Sequence, residues 1–298
     1  MIFKDVNEFT AHYAKELYYA DKVESTNPIN SEKYKNELGG EAAQQFFTIE
    51  DAQAVVGTYK NHKGYEWWMY GEILSEMLNL DPPIMYKYKP EMYPEHYDLL
   101  ADGRMQYTYG NRFVEFGQFV NIHEKLKKNI NSKRAVMSIY TPYDTAPDRK
   151  DAPCTLGYNF LHRDGKFNMT TFMRSWDFFG GAKTYDFALS SFIQQSFCNW
   201  LDVKPGKLNY YVNSLHYYNR DQEQLEKLVM EVQNPKSANK LILDGNQPIG
   251  EFYDELRLIK LSEEYAHSGN IEKANEIKDN LNNELFKKIS GVFIKKNE

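Results

Sequence analysis

Pro153 to Asp186 reads P-C-T-L-G-Y-N-F-L-H-R-D-G-K-F-N-M-T-T-F-M-R-S-W-D-F-F-G-G-A-K-T-Y-D. The runs T-L-G-Y-N-F-L-H-R and K-F-N-M-T-T-F-M-R-S are rich in strand formers and are joined by R-D-G-K, so they predict a hairpin turning at Asp164 and Gly165. The next segment, Y-D-F-A-L-S-S-F-I-Q-Q-S-F-C-N-W-L, has helical periodicity and predicts a helix on that sheet, with Cys198 in its core. The same stretch offers a possible thiolate, Cys154, an anion-binding Arg174-Ser175 pair, and two carboxylates, Asp177 and Asp186. Together they suit the binding and attack of a small anionic ring compound.

The 298 residues are enough for one large domain with a substantial core, or for two small ones. At 42% hydrophobic, 26% charged and 15% aromatic, the composition is that of a globular protein, far from the disordered class. A net charge of −6 argues against a surface built to coat nucleic acid, but it leaves room for a basic pocket holding one phosphate. With two cysteines, Cys154 and Cys198, and no secretory signal or apolar run of transmembrane length, the expectation is free thiols in a cytoplasmic protein.

Upstream of the hairpin, Ile2, Phe3, Val6, Phe9, Tyr13 and Leu17 approach the spacing of one helical face, with Asp5 or Asn7 as a cap. Residues 21–50, with T-N-P-I-N-S and E-L-G-G-E, read as loops. From Ile49 to Leu80 the pattern is helical. In G-Y-E-W-W-M-Y-G-E-I-L-S-E-M-L, Glu66 shares a face with Met69, Tyr70 and Ile73. A carboxylate on an aromatic face is costly unless paired or protonated, which makes Glu66 a functional candidate unless it points to water. Glu72 and Glu76, four apart, read as a solvated face. Four prolines make Asp81 to Tyr97 an irregular connection, a wall or a lid. The segment V-E-F-G-Q-F-V-N-I-H-E-K-L-K-K is helix-like, and S-K-R-A-V-M-S-I-Y suggests a buried strand led by Lys133 and Arg134. Downstream, V-K-P-G-K-L-N-Y-Y-V-N-S-L-H-Y-Y is a turn and a strand ending near His216 and Tyr218, and the chain beyond is mostly helical and charged.

No H-E-x-x-H, C-x-x-C or H-x-H spacing occurs and the seven histidines are scattered, so no metal is expected. Neither glycine-rich phosphate loop is present, which leaves phosphate to side chains. Cys154 follows a proline between a loop and a strand. Use as a nucleophile requires a depressed thiol pKa, which Arg174 across the hairpin could supply; otherwise Cys154 is a small core residue.

P-C-T-L, then M-R-S-W-D with a Y-D twelve residues after its arginine, then S-L-H-Y-Y, resembles the thymidylate synthase superfamily, and most closely its pyrimidine hydroxymethylase branch. Y-G-N-R-F and S-K-R-A-V-M fit the same order upstream, so the likeness runs from about Glu66 to Tyr218. The resemblance implies that Cys154 adds to C6 of a pyrimidine and that Arg174 and Ser175 bind its phosphate. Arg134, with Lys133 where the family usually has arginine, would be lent to the same phosphate across a dimer interface. His216 and Tyr218 match sugar contacts, Asp177 the folate-ring contact, and Tyr109 the tyrosine of the Y-G motif. Glu66 fits the catalytic glutamate by its aromatic context, and Glu72 fits better by its spacing to Tyr109.

Asp186 stands where methylases acting on uracil usually carry asparagine. Cytosine offers an N4 amino donor and an N3 acceptor, so a carboxylate sharing a proton at N3 complements it; a helix N-cap is the other reading of Asp186. Thr155 and Met173 replace the methylases' histidine and glutamine. The end, I-S-G-V-F-I-K-K-N-E, lacks their closing motif, which favours water over hydride at the exocyclic carbon. The resemblance thus implies an α+β fold, a large mixed sheet with flanking helices that dimerises through the sheet, in one domain over residues 1–298 with 219–298 a helical C-terminal extension. It implies 5,10-methylenetetrahydrofolate as co-substrate and CMP or dCMP as substrate, with neither nucleic acid nor membrane as partner. A methylase acting on dUMP and a nucleotide-binding homologue without turnover are the rival readings.

Overall fold

The hairpin forms as read: β5 (Thr155–Arg163) pairs antiparallel with β6 (Lys166–Met173), and Asp164 and Gly165 turn at φ 51° and 72°. Positive φ at both central residues matches the right-handed twist of the strands, which is why an Asp-Gly pair closes this turn. The computed structural model describes residues 1–25, 37–92, 105, 107–114, 117–146, 152–183 and 185–298. Around the hairpin it builds a mixed sheet from β1 (Ile2–Phe3), β2 (Lys22–Ser25), β3 (Glu37–Ile49), β4 (Val136–Ser138), β7 (Trp176–Asp177) and β8 (Lys204–His216). The strand order is β1-β3-β8-β6-β5-β4, with β2 paired to β3 and β7 to β8.

Register gives the sheet two unlike faces. Phe47, Tyr210, Thr171, Tyr158 and Met137 stand opposite one another from β3 across to β4, and all are buried. One residue along, Phe46, Tyr211 and Phe172 form a row on the other face and are 56%, 39% and 40% exposed, with Leu156 of β5 exposed beside them. Because side chains alternate along a strand, adjacent rows must face opposite ways.

The inner face is covered by α1 (Val6–Tyr19) and α6 (Tyr185–Leu201). Asp5 caps α1, its carboxylate accepting from the amides of Asn7 and Glu8. Phe9 and Phe187 pack into a stack in which Tyr210 lies 5.2 Å from both Phe47 and Trp176, each pair 14° from parallel. Cys198 is buried within α6, as its helical periodicity implied.

Three expectations are corrected. Residues 21–50 are not simply loops: they contain β2 and the thirteen-residue β3, which lies inside the sheet. The glycines of E-L-G-G-E serve close approach rather than a turn, since a Cβ on Gly39 would sit 1.7 Å from the Tyr217 carbonyl oxygen. The helix expected over 49–80 is confined to α2 (Glu66–Leu78), and residues 50–65 are irregular. The strand after Arg134 is β4, a short edge strand with Val136 exposed rather than a buried run.

Of the connection expected over 81–97, residues 93–97 lie outside the described residues; the rest forms α3 (Met85–Tyr88) and a single turn at Pro90–Met92. Then come α4 (Tyr109–Val114), α5 (Gln118–Lys128), α7 (Gln222–Glu231), α8 (Ile249–His267), α9 (Ile271–Asp279) and α10 (Glu284–Asn297). The charged C-terminal stretch is helical, and α8 and α10 pack against α2. They also hold α3: buried Glu263 of α8 accepts from Lys87 Nζ at 2.7 Å and from the Tyr88 hydroxyl at 3.0 Å, while Asn297 Nδ2 donates to that hydroxyl at 2.9 Å. Among the described residues no helix is long and apolar enough to cross a membrane.

Candidate active site

A cavity of about 240 Å³ opens where α2, α3 and α4 meet the starts of β5 and α6. It brings together Cys154, Tyr109, Asp186, Glu72 and Glu76, and no Lys, Arg or His is among its described lining residues. Cys154 is fixed from two sides. Its carbonyl accepts from the Arg174 amide at 2.9 Å, and the Arg174 guanidinium folds over the same loop, donating to Ala152 O at 2.6 Å and Pro153 O at 2.9 Å. That leaves Arg174 Nη2 3.8 Å from Cys154 Sγ, so the thiol has a fixed positive charge beside it. From the other side, the Tyr109 hydroxyl accepts from the Thr155 amide at 3.1 Å, which seats the tyrosine against the residue after the thiol.

Asp186 lies in the first turn of α6, and its Oδ2 accepts from the indole N–H of buried Trp176 at 2.6 Å. Gly181 makes this approach possible, since a Cβ there would come within 2.1 Å of Asp186 Oδ2. Burial pushes the Asp186 carboxyl up to about 6, against the Trp176 hydrogen bond, which lowers it, and with Asp177 raising it further. Glu76 is driven up to about 8 by burial, although its Oε2 accepts from the Gly110 amide; Asp186 adds repulsion. Glu72 is held well above the usual carboxylate range by burial and by Asp186 and Glu76, and its Oε2 has no hydrogen-bond partner among the described residues. Glu72 and Glu76 therefore retain protons near neutrality, while Asp186, the most acidic of the three, titrates just below it.

The structure does not bring Glu66 to this cavity. At the first turn of α2 its side chain is 51% exposed and pairs with Lys288 of α10 at 3.1 Å, beside a different hollow lined by Lys63, Trp67 and Lys296. The helical face read from Glu66, Met69, Tyr70 and Ile73 is real, but its apolar members begin one turn further in. The solvated face expected for Glu72 and Glu76 is also corrected. Helices pack around α2, so these two glutamates, the only charges between Glu66 and Asp81, point into the protein. That scarcity of charge was the available signal, because a helix apolar nearly all round has no wet face.

A second cluster adjoins the first through Arg174. Asp177 and His216 are partners in the β7–β8 pairing. The His216 ring nitrogen Nδ1 is 3.2 Å from Ser214 Oγ, which donates to Glu41, while Nε2 is buried without a partner among the described residues. Burial lowers the His216 pKa, Asp177 opposes that, and the charge of Arg174 lowers it further, so the imidazole is held neutral. Tyr218 meets His216 edge to face at 5.1 Å and lies under the Arg220 guanidinium, which approaches Asp177 at 3.6 Å. Ser175, partly buried, sits between Arg174 and Trp176. Lys133 and Arg134 are exposed ahead of edge strand β4 and line neither cluster, and the Arg134 carbonyl accepts from Lys125. Glu76, Trp176, Glu41 and Arg220 were not singled out from sequence; each acquires its role from a residue far away in the chain. Among the described residues no His, Cys, Asp and Glu group could hold a metal.

A family model described as thymidylate synthase matches residues 49–275. The chain is 30% identical over 150 residues to the deoxyuridylate hydroxymethyltransferase of Bacillus phage SP01, covering 49% of this chain and 38% of that protein. It is 26% identical over 152 residues to the thymidylate synthase of Enterobacteria phage T4, covering 48% and 50%. It is 25% identical over 196 residues to that of Listeria innocua, covering 61% of each. The match thus spans less than two thirds of each of these relatives.

The raised carboxyls make a stability prediction. A group whose folded pKa is raised contributes stability that is complete below its unfolded value and is lost as pH rises through the folded value. Glu72→Gln should therefore match the wild type near about pH 4 and exceed it by a margin that grows as pH rises towards about pH 8 in denaturant titrations of the substrate-free protein. A difference that shrinks with rising pH would contradict the assigned shift.

Proposed function

We propose a function from one premise: the chain belongs to the thymidylate synthase family. The reading is C5 hydroxymethylation of a cytidylate, CMP or dCMP, with 5,10-methylenetetrahydrofolate as the one-carbon donor. The carrying observation is that Asp186 lines the same enclosed cavity as Cys154, together with Glu72 and Glu76 and without a basic lining residue. Such a lining suits a ring that brings amino N–H donors and accepts a proton at N3. At Asp186, the most acidic of the three, the C4 carbonyl of uracil would instead face an ionised carboxylate.

In this reading the Cys154 thiolate adds to C6, and the electron pair moves to C5, which then attacks the one-carbon unit. Folate supplies that unit at the oxidation level of formaldehyde. Glu72, with a buried oxygen that has no partner among the described residues, exchanges protons with the ring and the exocyclic group, and Tyr109 lies beside the reacting centre. The C5 proton is lost as the bond from the transferred carbon to the folate nitrogen breaks and tetrahydrofolate leaves; water adds to the resulting exocyclic methylene, and the sulfur leaves C6 to restore the ring. Arg174 and Ser175 hold the phosphate, and neutral His216, whose Nε2 has no partner among the described residues, and Tyr218 meet the sugar. The donor set fits a folate ring at Asp177, whose carboxylate lies on the same strand pair as His216, and the aromatic wall of Trp68 and Tyr86 supports that fit.

A homodimer belongs to this reading. The outward row of Phe46, Tyr211 and Phe172 is an apolar patch on a sheet face, and a second copy would cover it. The exposure of Lys133 and Arg134, away from their own chain's cavity, agrees with a role in the partner's phosphate site. Residues 1–298 are read as one domain with 219–298 as its helical extension, in keeping with a core cluster that runs from Phe3 to Phe293.

The second reading is the same chemistry on a uridylate, or methylation of dUMP, favoured by the names of the phage relatives. Incubating the protein with CMP, dCMP and dUMP beside methylenetetrahydrofolate decides among them by product mass. Gain of CH2O on a cytidylate is expected, whereas gain of CH2 with dihydrofolate, or turnover of dUMP alone, would overturn the proposal. Cys154→Ala should end tritium release from C5-labelled nucleotide while binding persists; continued release removes the nucleophile assignment. Asp186→Asn is expected to move preference from cytidylate towards uridylate by at least about tenfold in kcat/KM, and an unmoved ratio refutes the specificity argument. Phe172→Glu should yield monomers in sedimentation, and an unchanged mass would place the dimer contact elsewhere.

A further inference from the structure

Glu76 stands in the cavity without a role in the reading above, one helical turn beyond Glu72 on the same stripe of α2. We infer that Glu76 is a positioning residue of this site: it ties the helix bearing Glu72 to the Tyr109 turn, and its charge tunes the proton balance of Glu72. The inference rests on the proposed pyrimidine chemistry only for its kinetic test.

The tie is geometric. Glu76 Oε2 accepts from the Gly110 amide; Gly110 adjoins Tyr109, and the Tyr109 hydroxyl accepts from the amide of Thr155, the residue after Cys154. Two hydrogen bonds thus lead from the carboxyl-bearing helix to the backbone beside the thiol. Gly110 is built for this contact: a Cβ there would lie 2.5 Å from the Glu76 carbonyl oxygen, so only glycine lets α4 rest on the end of α2.

The electrostatic half follows from what faces Glu76. From α6 comes Asp186, from β5 Tyr158, from α4 Tyr109, and along α2 itself Glu72. The nearby described cations stand behind the lining: Arg174 reaches Cys154 Sγ at 3.8 Å, and Arg112 lies over the Tyr107 ring at 5.7 Å. Arg112 of α4 bonds Asp144, Lys87 of α3 bonds Glu263 of α8, and Lys288 of α10 pairs with Glu66 and lies over Tyr70. Tyr86 of α3 also lines the cavity. No cation is among the described lining residues, so a charge on Glu76 acts on Glu72 by repulsion, and removing it makes Glu72 more acidic.

Two substitutions separate the parts. Glu76→Gln keeps an acceptor for the Gly110 amide and removes the charge, whereas Glu76→Ala removes both. The readout is the pH profile of tritium release from whichever C5-labelled nucleotide the wild type turns over. In Glu76→Gln the limb governed by Glu72 should move to lower pH by about one unit, whichever protonation state of Glu72 is needed. In Glu76→Ala kcat should fall at least about tenfold below that of Glu76→Gln, with KM changed less, because Tyr109 loses its anchor. A Glu76→Gln profile superimposed on the wild type, or equal kcat for the two variants, overturns the inference. Isotope-edited infrared spectra of the substrate-free protein with labelled glutamate provide a measurement that needs no turnover: followed against pH, the last neutral-carboxyl band to be lost should disappear at lower pH in Glu76→Gln than in the wild type, and an unmoved midpoint overturns the inference. If the wild type releases no tritium from any pyrimidine nucleotide, the functional proposal fails, and the infrared measurement alone decides on Glu76.

Discussion

Three carboxyl groups share one enclosed cavity with a thiol, and the described wall brings them no counter-ion. Desolvation makes charge expensive there, so Glu72 and Glu76 hold protons instead, and Asp186 is pushed up to about 6. Much of the surrounding structure serves that condition. The donors that reach Asp186 and Glu76 are neutral, an indole N–H and a backbone amide, which satisfy oxygens without forcing ionisation. The cation needed by the thiol, Arg174, is kept outside the cavity lining by the Ala152 and Pro153 carbonyls. One pocket can thus place a positive charge at the sulfur while its two glutamates stay protonated.

The sheet supplies the rigid side of this arrangement. Its inner row, from Phe47 to Met137, is sealed by α1 and α6, and α6 delivers Asp186 at its first turn. The hairpin delivers Cys154 just before one strand and Arg174 just after the other, so a single antiparallel pairing sets the spacing between thiol and cation. Helices supply the other side, because α2 is buried by its neighbours and must turn its carboxyls inward.

What could be read from the sequence was what depends on near neighbours. The Asp164-Gly165 turn, the two strands beside it, the helix holding Cys198 and the Asp5 cap all follow from local pattern, and all are present. The likeness to a known family followed from short ordered motifs and is supported by the match over residues 49–275. What could not be read depends on distant partners. β3 looked like a loop because its glycines mean close approach only once Tyr217 is known to lie against them. Glu72 and Glu76 looked wet because the helices that bury them come from elsewhere in the chain, and Glu66 looked buried because nothing local shows where the core stops. Asp186 was singled out for its chemistry, but its bond to Trp176 needed the fold.

The grip of α8 and α10 on α3 also bears on the order in which the molecule can be completed. Met85 and Tyr86 wall the cavity, and their neighbours Lys87 and Tyr88 are held by Glu263 and Asn297. A ribosome releasing this chain from its N-terminus has delivered Cys154, Asp186 and both cavity glutamates long before those two anchors emerge. The reactive groups therefore exist first as an open half-site, and the wall is secured only when the last helix docks. The polypeptide acquires its chemistry early and its enclosure late.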